Sequence, residues 1–227
     1  MTDRASTSLF DRWSRTYDST TLQRLTYRPV HDAVLRRLGV IRPTVVLDLG
    51  CGTGQLTERL VDELPQSKVI GLDLSAGMLR RADARLGASG ATSLLRADAM
   101  HLPFSDDTFD AVVCTESFHW YPDQQQVLAG LADVVRPGGR VVIVSVAAVT
   151  DAGDRMLRMA TSAGGNTIRA LAPRRLRNVL ARSGFEVIAQ RRIPRVGLVP
   201  WPVLTEARLG ASVLRDTVVR PSEKFSA

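Results

Sequence analysis

Val46-Leu-Asp-Leu-Gly-Cys-Gly-Thr-Gly54 decides the fold: a short apolar run gives way to glycines, and Gln55 to Leu64 continues at helical spacing until Pro65 stops it. The run opens at Thr44 and is apolar on both sets of alternating positions, the pattern of a strand buried on both faces of a parallel sheet. The unit then repeats. Lys68-Val-Ile-Gly-Leu-Asp-Leu74 reads as a strand, Ser75 as an N-cap, and Ala76 to Leu86 as a helix closed by Gly87. Thr92 to Arg96 and Phe109 to Cys114 follow as strands joined by a loop from Asp98 to Asp107. A helix from about Asp123 to Val135 ends at Pro137-Gly-Gly139, and Arg140 to Val146 is a fifth strand. Phe185 to Gln190 is a sixth, and Val196 to Leu204 a seventh that Pro200 and Pro202 confine to an edge. Strands alternating with helices imply right-handed crossovers, hence an α/β, doubly wound, mostly parallel seven-stranded sheet.

Outward from that core, residues of about 8–40 read as two helices, with Leu9, Trp13 and Tyr17 on one and Val30, Val34, Leu35 and Leu38 on the other before Gly39. The organisation expected is a helical cap over 1–42, a sheet domain over 43–210 and a partly disordered tail over 211–227. The segment 150–172, with Gly164-Gly-Asn166, reads equally well as a mobile lid or as a connection.

Composition narrows the class. With 227 residues, 44% apolar and 23% charged, the chain is an ordinary globule with no apolar run of the ~18–20 residues that a membrane helix needs. The opening MTDRASTSLFDRW is too polar for a secretory signal. Cys51 and Cys114 make neither a disulfide framework nor a four-ligand zinc site, so no metal is expected and the chain is read as cytoplasmic. The net charge of +7 comes almost wholly from arginines in scattered doublets such as Arg36-Arg37 and Arg80-Arg81, which fits solvated helix faces better than a nucleic-acid footprint.

In such a sheet, ligands sit outside the carboxyl ends of the strands, and three of those ends carry an acid. Asp48 precedes Gly50-Cys-Gly52-Thr-Gly54, whose backbone can approach a ligand closely ahead of the unpaired N–H groups of a helix start. Asp73 closes its strand where a ribose diol would need an acceptor, and Asp98 leads into a loop that would border a base. The glycine spacing lacks the G-x-G-x-x-G of dinucleotide sites, since Gln55 stands where the last glycine would fall.

These stretches, with Gly71-Leu-Asp-Leu-Ser75, Arg96-Ala-Asp-Ala-Met-His-Leu-Pro-Phe104, Phe109-Asp-Ala-Val-Val113 and Val135-Arg-Pro-Gly-Gly139, resemble the class I S-adenosylmethionine-dependent methyltransferases of the small-molecule kind called type 11. The resemblance covers about 44–146 and implies the Rossmann-like methyltransferase fold. Phe10-Asp-Arg-Trp-Ser-Arg-Thr-Tyr-Asp18 is similar to that family's N-terminal helix, which tends to fold over the cofactor. By this resemblance Asp48, Gly50 and Gly52 line the methionine portion of S-adenosyl-L-methionine, with Cys51 held beside it by its backbone. Asp73 holds the ribose hydroxyls, and Leu74 and Met78 pack near the adenine. Asp98 accepts from the adenine amino group, and the Ala99 amide pairs with the ring. Thr115 and Glu116 border the methionine end and Tyr17 closes the site; for Tyr17 a buried helix aromatic is the competing reading.

The implied reaction moves a methyl group to an acceptor and releases S-adenosyl-L-homocysteine. His119, just after the fourth strand, is the candidate general base, although a wall or packing role suits it better. His101 reads as exposed and His31 as a helix-face residue. Trp13, Phe118, Trp120 and Tyr121, with Phe10, Tyr17 and Trp201, are seven of the chain's twelve aromatics and favour a small apolar or aromatic acceptor. Cys114-Thr-Glu-Ser117 lacks the Asn/Asp-Pro-Pro-Tyr or Pro-Cys runs of nucleic-acid methyltransferases, so no nucleic-acid partner is expected. Two alternatives stand: a quinone or lipid-intermediate methyltransferase working at a membrane surface, and a non-catalytic protein that binds S-adenosylmethionine or S-adenosylhomocysteine.

Overall fold

The computed structural model describes residues 11, 21–87, 92–146, 151–162, 168–194 and 202–211. Among them the chain runs α1 (Thr21–Ile41), β1 (Val45–Leu49), α2 (Gln55–Glu63), β2 (Lys68–Asp73), α3 (Ala76–Leu86), β3 (Thr92–Arg96) and β4 (Phe109–Thr115). A 3-10 turn at Phe118–Trp120 leads to α4 (Gln124–Val134), β5 (Val135–Ser145), α5 (Asp151–Ser162), α6 (Pro173–Arg182), β6 (Phe185–Arg192) and β7 (Val203–Leu209). The described strands form one seven-stranded sheet in the order β3-β2-β1-β4-β5-β7-β6. β1 pairs in parallel with β2 on one side and β4 on the other, so the strand order reverses at β1 and opens a crevice at the carboxyl ends of β1 and β4.

Period-two alternation sends each central strand's side chains to two cores. Leu47, Leu49, Val112 and Cys114 face the layer of α4 and α6, with Leu128, Leu131 and Leu180 against them. Val46, Ala111 and Val113 face α1 and α2, against Val30, Val34, Leu38, Leu56 and Leu60. Both faces are covered, which is why these strands read as nearly continuous apolar runs. Local signals close the elements as expected. Ser75 Oγ accepts the Met78 N–H at 3.1 Å, Asp123 Oδ1 accepts the Gln126 N–H at 2.9 Å, and each caps its helix.

The last strand departs from expectation. It spans Val203–Leu209 rather than Val196–Leu204, and it lies inside the sheet, antiparallel to both β5 and β6. Pro200 and Pro202 therefore precede the strand instead of restricting it to an edge. Glu206 disguised it, because a carboxylate in mid-strand looks incompatible with a buried position. Here its side chain is 2% exposed and meets the guanidinium groups of Arg37, from α1, and Arg140, from β5, the latter at 3.5 Å. Smaller differences concern α1, which runs through Gly39 to Ile41, and β5, which begins at Val135 with an irregularity before Arg140. The first N-terminal helix, apart from Asp11, the start of the expected Val196–Leu204 strand, Gly164-Gly-Asn166 and nearly all of the expected tail lie outside the described residues.

Replacing Glu206 with Ala leaves two arginines facing a buried gap. Because both are about a third exposed and can swing to water, the expected loss of stability in urea unfolding is moderate, about 1–3 kcal/mol.

Candidate functional site

The turn after β1 is built on missing side chains. Gly50 has φ +73°, and a Cβ there would lie 2.5 Å from Ser117 Oγ and 2.9 Å from the Tyr121 hydroxyl. The space is taken by a small network: Ser117 Oγ donates to the Leu49 carbonyl at 3.1 Å, the Tyr121 hydroxyl donates to Ser117 Oγ at 3.3 Å, and Cys114 Sγ lies 3.1 Å from the same oxygen. Gly52 has φ +57° with no atom within 4 Å of a would-be Cβ, so this half-buried residue faces open space on its side-chain side.

The turn is tied to the end of β2. The Gly50 and Cys51 N–H groups donate to the Leu72 carbonyl at 2.7 and 3.0 Å. The Asp73 carboxylate is held at both oxygens, by the Gly52 N–H at 2.9 Å and by the Ser75 N–H at 2.8 Å. Burial nevertheless raises its pKa above the usual carboxylate range, outweighing those backbone hydrogen bonds. Asp48 sits behind the turn, 1% exposed, accepting the Thr57 hydroxyl at 2.7 Å. Burial pushes its carboxyl up to about 7, with the negative charge of Asp73 adding to the effect.

Beyond β3, Asp98 Oδ1 accepts the Met100 N–H at 3.0 Å. Among the described residues its Oδ2 is buried without a hydrogen-bond donor, and Nδ1 of the exposed His101 lies 3.8 Å from it. Ala99 is buried beside it, Met78 is buried on α3, and Leu74 is half-buried with its carbonyl accepting from Arg96 Nε at 3.1 Å. Thr115 ends β4, and Glu116 follows in the left-handed region at φ +55°, its N–H donating to the Val144 carbonyl at 2.7 Å. A non-glycine residue strained in this way is characteristic of functional sites.

The aromatics after β4 divide. Phe118 is 1% exposed within the core, its ring edge-on to Tyr121 at 6.0 Å, so the pair underpins the Gly50 turn. His119 is buried with its ring 5.3 Å from that of the half-buried Trp120, and its carbonyl accepts from the Arg169 N–H at 2.7 Å. Trp13 and Tyr17 lie outside the described residues.

Tyr27 escapes the sequence reading, and His31, read only as a helix-face residue, lies at the site. A cavity of about 50 Å³ opens between the glycine turn and the end of β4, walled by Gly50, Gly52, Thr115 and Glu116 and closed by Tyr27 and His31 of α1. The Tyr27 and His31 rings stack at 6.4 Å. Burial, then the nearby Arg59 charge, lowers the His31 pKa to about 4, so it is neutral at pH 7. The available signal was register, because Tyr27 and His31 continue the stripe of Val34 and Leu38.

The set of polar groups suits an adenosyl ligand: an accepting carboxylate bracketed at the end of β2, a buried carboxylate oxygen lacking a donor among the described residues after β3, and bare backbone at Gly52. Among the described residues no cluster of three or more His, Cys, Asp or Glu is arranged to hold a metal ion.

Comparison with known proteins agrees. Residues 46–139 match the family described as a methyltransferase domain. A malonyl-[acyl-carrier protein] O-methyltransferase of Geobacter sulfurreducens is 32% identical over 183 residues, covering 75% of this chain and 67% of that protein. A demethylmenaquinone methyltransferase of Lactiplantibacillus plantarum is 36% identical over 140 residues, 59% of each chain. Several curated relatives are thus matched over about half to two thirds of their length. An N-methyltransferase of Bradyrhizobium japonicum solved with S-adenosyl-L-homocysteine shares the fold at TM-score 0.70 and 17% identity, over 90% of this chain and 98% of that one. A putative methyltransferase bound to the Trm112 activator of Haloferax volcanii does so at TM-score 0.74 and 21% identity, over 88% and 97%. The chain belongs to the class I S-adenosylmethionine-dependent methyltransferase family.

Two outcomes check this geometry. Gly50→Ala combines a left-handed φ with a clash and should cost about 2–4 kcal/mol in urea unfolding, whereas Gly52→Ala, with open space, should cost only about 1–2 kcal/mol. His31 is charged more easily unfolded than folded, so its contribution is present above about pH 6.5 and lost as pH falls toward 4. The stability of the wild type relative to His31→Gln should therefore rise by roughly 3 kcal/mol from pH 4 to pH 6.5, whereas a pH-independent difference would place His31 in water.

Proposed function

We propose that this chain transfers a methyl group from S-adenosyl-L-methionine to a small acceptor with an apolar or aromatic body, releasing S-adenosyl-L-homocysteine. The observation that carries the reading is the buried Asp98 Oδ2, an acceptor the protein leaves without a donor at the strand end where an exocyclic amine would lie. Asp73 would take the ribose hydroxyls, with Leu74, Met78 and the Ala99 amide against the adenine. The backbone of Gly50, Cys51 and Gly52, with Thr115 and Glu116, would border the methionine end; Asp48 supports that turn through Thr57. Residues 1–42 would form the cap, with Tyr17 closing the site and Trp13 part of the acceptor pocket.

When bound, the cofactor supplies a methyl already activated on a sulfonium, so the leaving group needs no help from the protein. The chain's task is placement. Holding the acceptor in line is worth roughly 7–11 kcal/mol, against about 3–5 kcal/mol from a general base. His119 is the candidate base where the acceptor must lose a proton, and Trp120 would form part of the acceptor wall.

A second reading, a quinone or lipid-intermediate acceptor met at a membrane surface, is supported by α5, where Met156 and Met159 are 72% and 69% exposed one turn apart. Demethylmenaquinone methyltransferases also stand among the relatives. No described helix is long and apolar enough to cross a membrane, so any such contact would be peripheral.

Thermal unfolding tests the main reading. S-adenosylhomocysteine at about 100 times its dissociation constant should stabilise by ~2.7 kcal/mol, raising the midpoint by roughly 5–10 °C. Asp98→Ala should shrink the shift and NAD should give none; no shift from folded protein at millimolar ligand would overturn both this reading and the non-catalytic S-adenosylhomocysteine-binding alternative. Vesicle sedimentation separates the two acceptor readings. A membrane-surface enzyme pellets with anionic vesicles and loses that on joint Met156→Ser and Met159→Ser substitution, whereas an enzyme of soluble acceptors stays in the supernatant.

A further inference from the structure

Ahead of α1, Asp11 reaches across the fold to the start of α3. Its Oδ1 accepts the Ser75 hydroxyl at 2.5 Å and the Gly77 N–H at 2.8 Å, although 64 residues separate it from Ser75. We propose that Asp11 is a positioning residue of the cofactor site, acting on Asp73 through Ser75; the inference rests on the methyl-transfer reading.

The hydrogen bonds form one continuous chain. Ser75 Oγ gives its proton to Asp11 and accepts the Met78 N–H, so both functions of the hydroxyl are committed and its rotamer is fixed. The Ser75 backbone N–H is then aimed at Asp73 Oδ1, while Asp73 Oδ2 takes the Gly52 N–H from the glycine turn. Asp11 thus sits at one end of a relay, Asp11–Ser75–Asp73–Gly52, whose far end is the bare backbone of the site.

The Asp11 carboxylate is itself anchored, and because its charge adds to the rise of the Asp73 pKa, its help to Asp73 is geometric. The Ser75 hydroxyl first, then the Gly77 amide, hold the Asp11 carboxyl below its ordinary pKa, with Arg80 and Arg96 assisting against some burial. An ionised carboxylate is therefore present at the positive N-terminal end of the eleven-residue α3. Asp11 also belongs to the Phe10–Asp18 stretch that contains Trp13 and Tyr17, so one side chain ties the segment expected to cover the cofactor to the acid expected to hold its ribose.

Calorimetric titration with S-adenosylhomocysteine tests this on the full chain, using the wild type, Asp11→Ala, Asp11→Asn, Asp73→Ala and the Asp11→Ala/Asp73→Ala double variant. Asp11→Ala should weaken binding about five- to tenfold, and Asp11→Asn, which keeps an acceptor oxygen, about twofold. In the Asp73→Ala background the effect of Asp11→Ala should fall below about twofold, since the relay then has no end point. An undiminished loss in that background, or no loss in the wild type, overturns the proposal. Failure of the wild type to bind overturns the methyl-transfer reading instead. In that case the Gly52 amide resonance, which Asp11 does not touch, decides the relay: it shifts in Asp11→Ala if the relay exists and stays put if it does not.

Discussion

Every feature of the candidate site depends on the place where three strand ends are drawn together around a residue without a side chain. Ser117 Oγ reaches the Leu49 carbonyl from beyond β4, and the Gly50 and Cys51 amides reach the Leu72 carbonyl of β2. The first of these contacts requires Gly50 to be bare, because a Cβ would fall 2.5 Å from the Ser117 oxygen. With the turn clamped from both sides, Gly52 presents its backbone outward and its N–H meets Asp73. A side chain at Gly50 would push β4 from β1 and spoil the crevice that the reversal of strand order creates.

Burial then gives like residues different work. Asp48, Asp73 and Asp98 all stand at or just beyond strand ends, but Asp48 is sealed behind the turn, Asp73 is held by one backbone donor at each oxygen, and Asp98 keeps one buried oxygen without a donor among the described residues. His31 and Asp48 are both driven toward neutrality by desolvation, one from a cation and the other from an anion. The site is thus a low-dielectric pocket in which the few remaining charges are held by hydrogen bonds, a setting that favours alignment of reactants over proton traffic.

Most of this was legible in the sequence because the relevant signals are local. Ala76 to Leu86, its Ser75 cap and its Gly87 stop are found where propensity and capping place them. The glycine turn and the acids at strand ends follow from period and position alone. What escaped is what depends on distant partners. β7 was misplaced because Glu206 is tolerable only through Arg37 and Arg140, which no local pattern reveals. Tyr27 was passed over and His31 was read only as a helix-face residue because a helix stripe does not say what it faces. Tyr121 was read as part of the acceptor pocket, when its hydroxyl, with that of Ser117, braces the turn from beneath.

The central claim is that the carboxyl ends of β1, β2 and β3 form one adenosyl-ligand site. Titrating nitrogen-15-labelled protein with S-adenosylhomocysteine and following the backbone amide resonances tests it most directly. The account predicts the largest changes at Gly50, Gly52, Ser75 and Ala99, with Gly138 and Gly139, at the opposite end of the sheet, unmoved. Changes centred on Gly138 and Gly139, or spread evenly over the sheet, would contradict it.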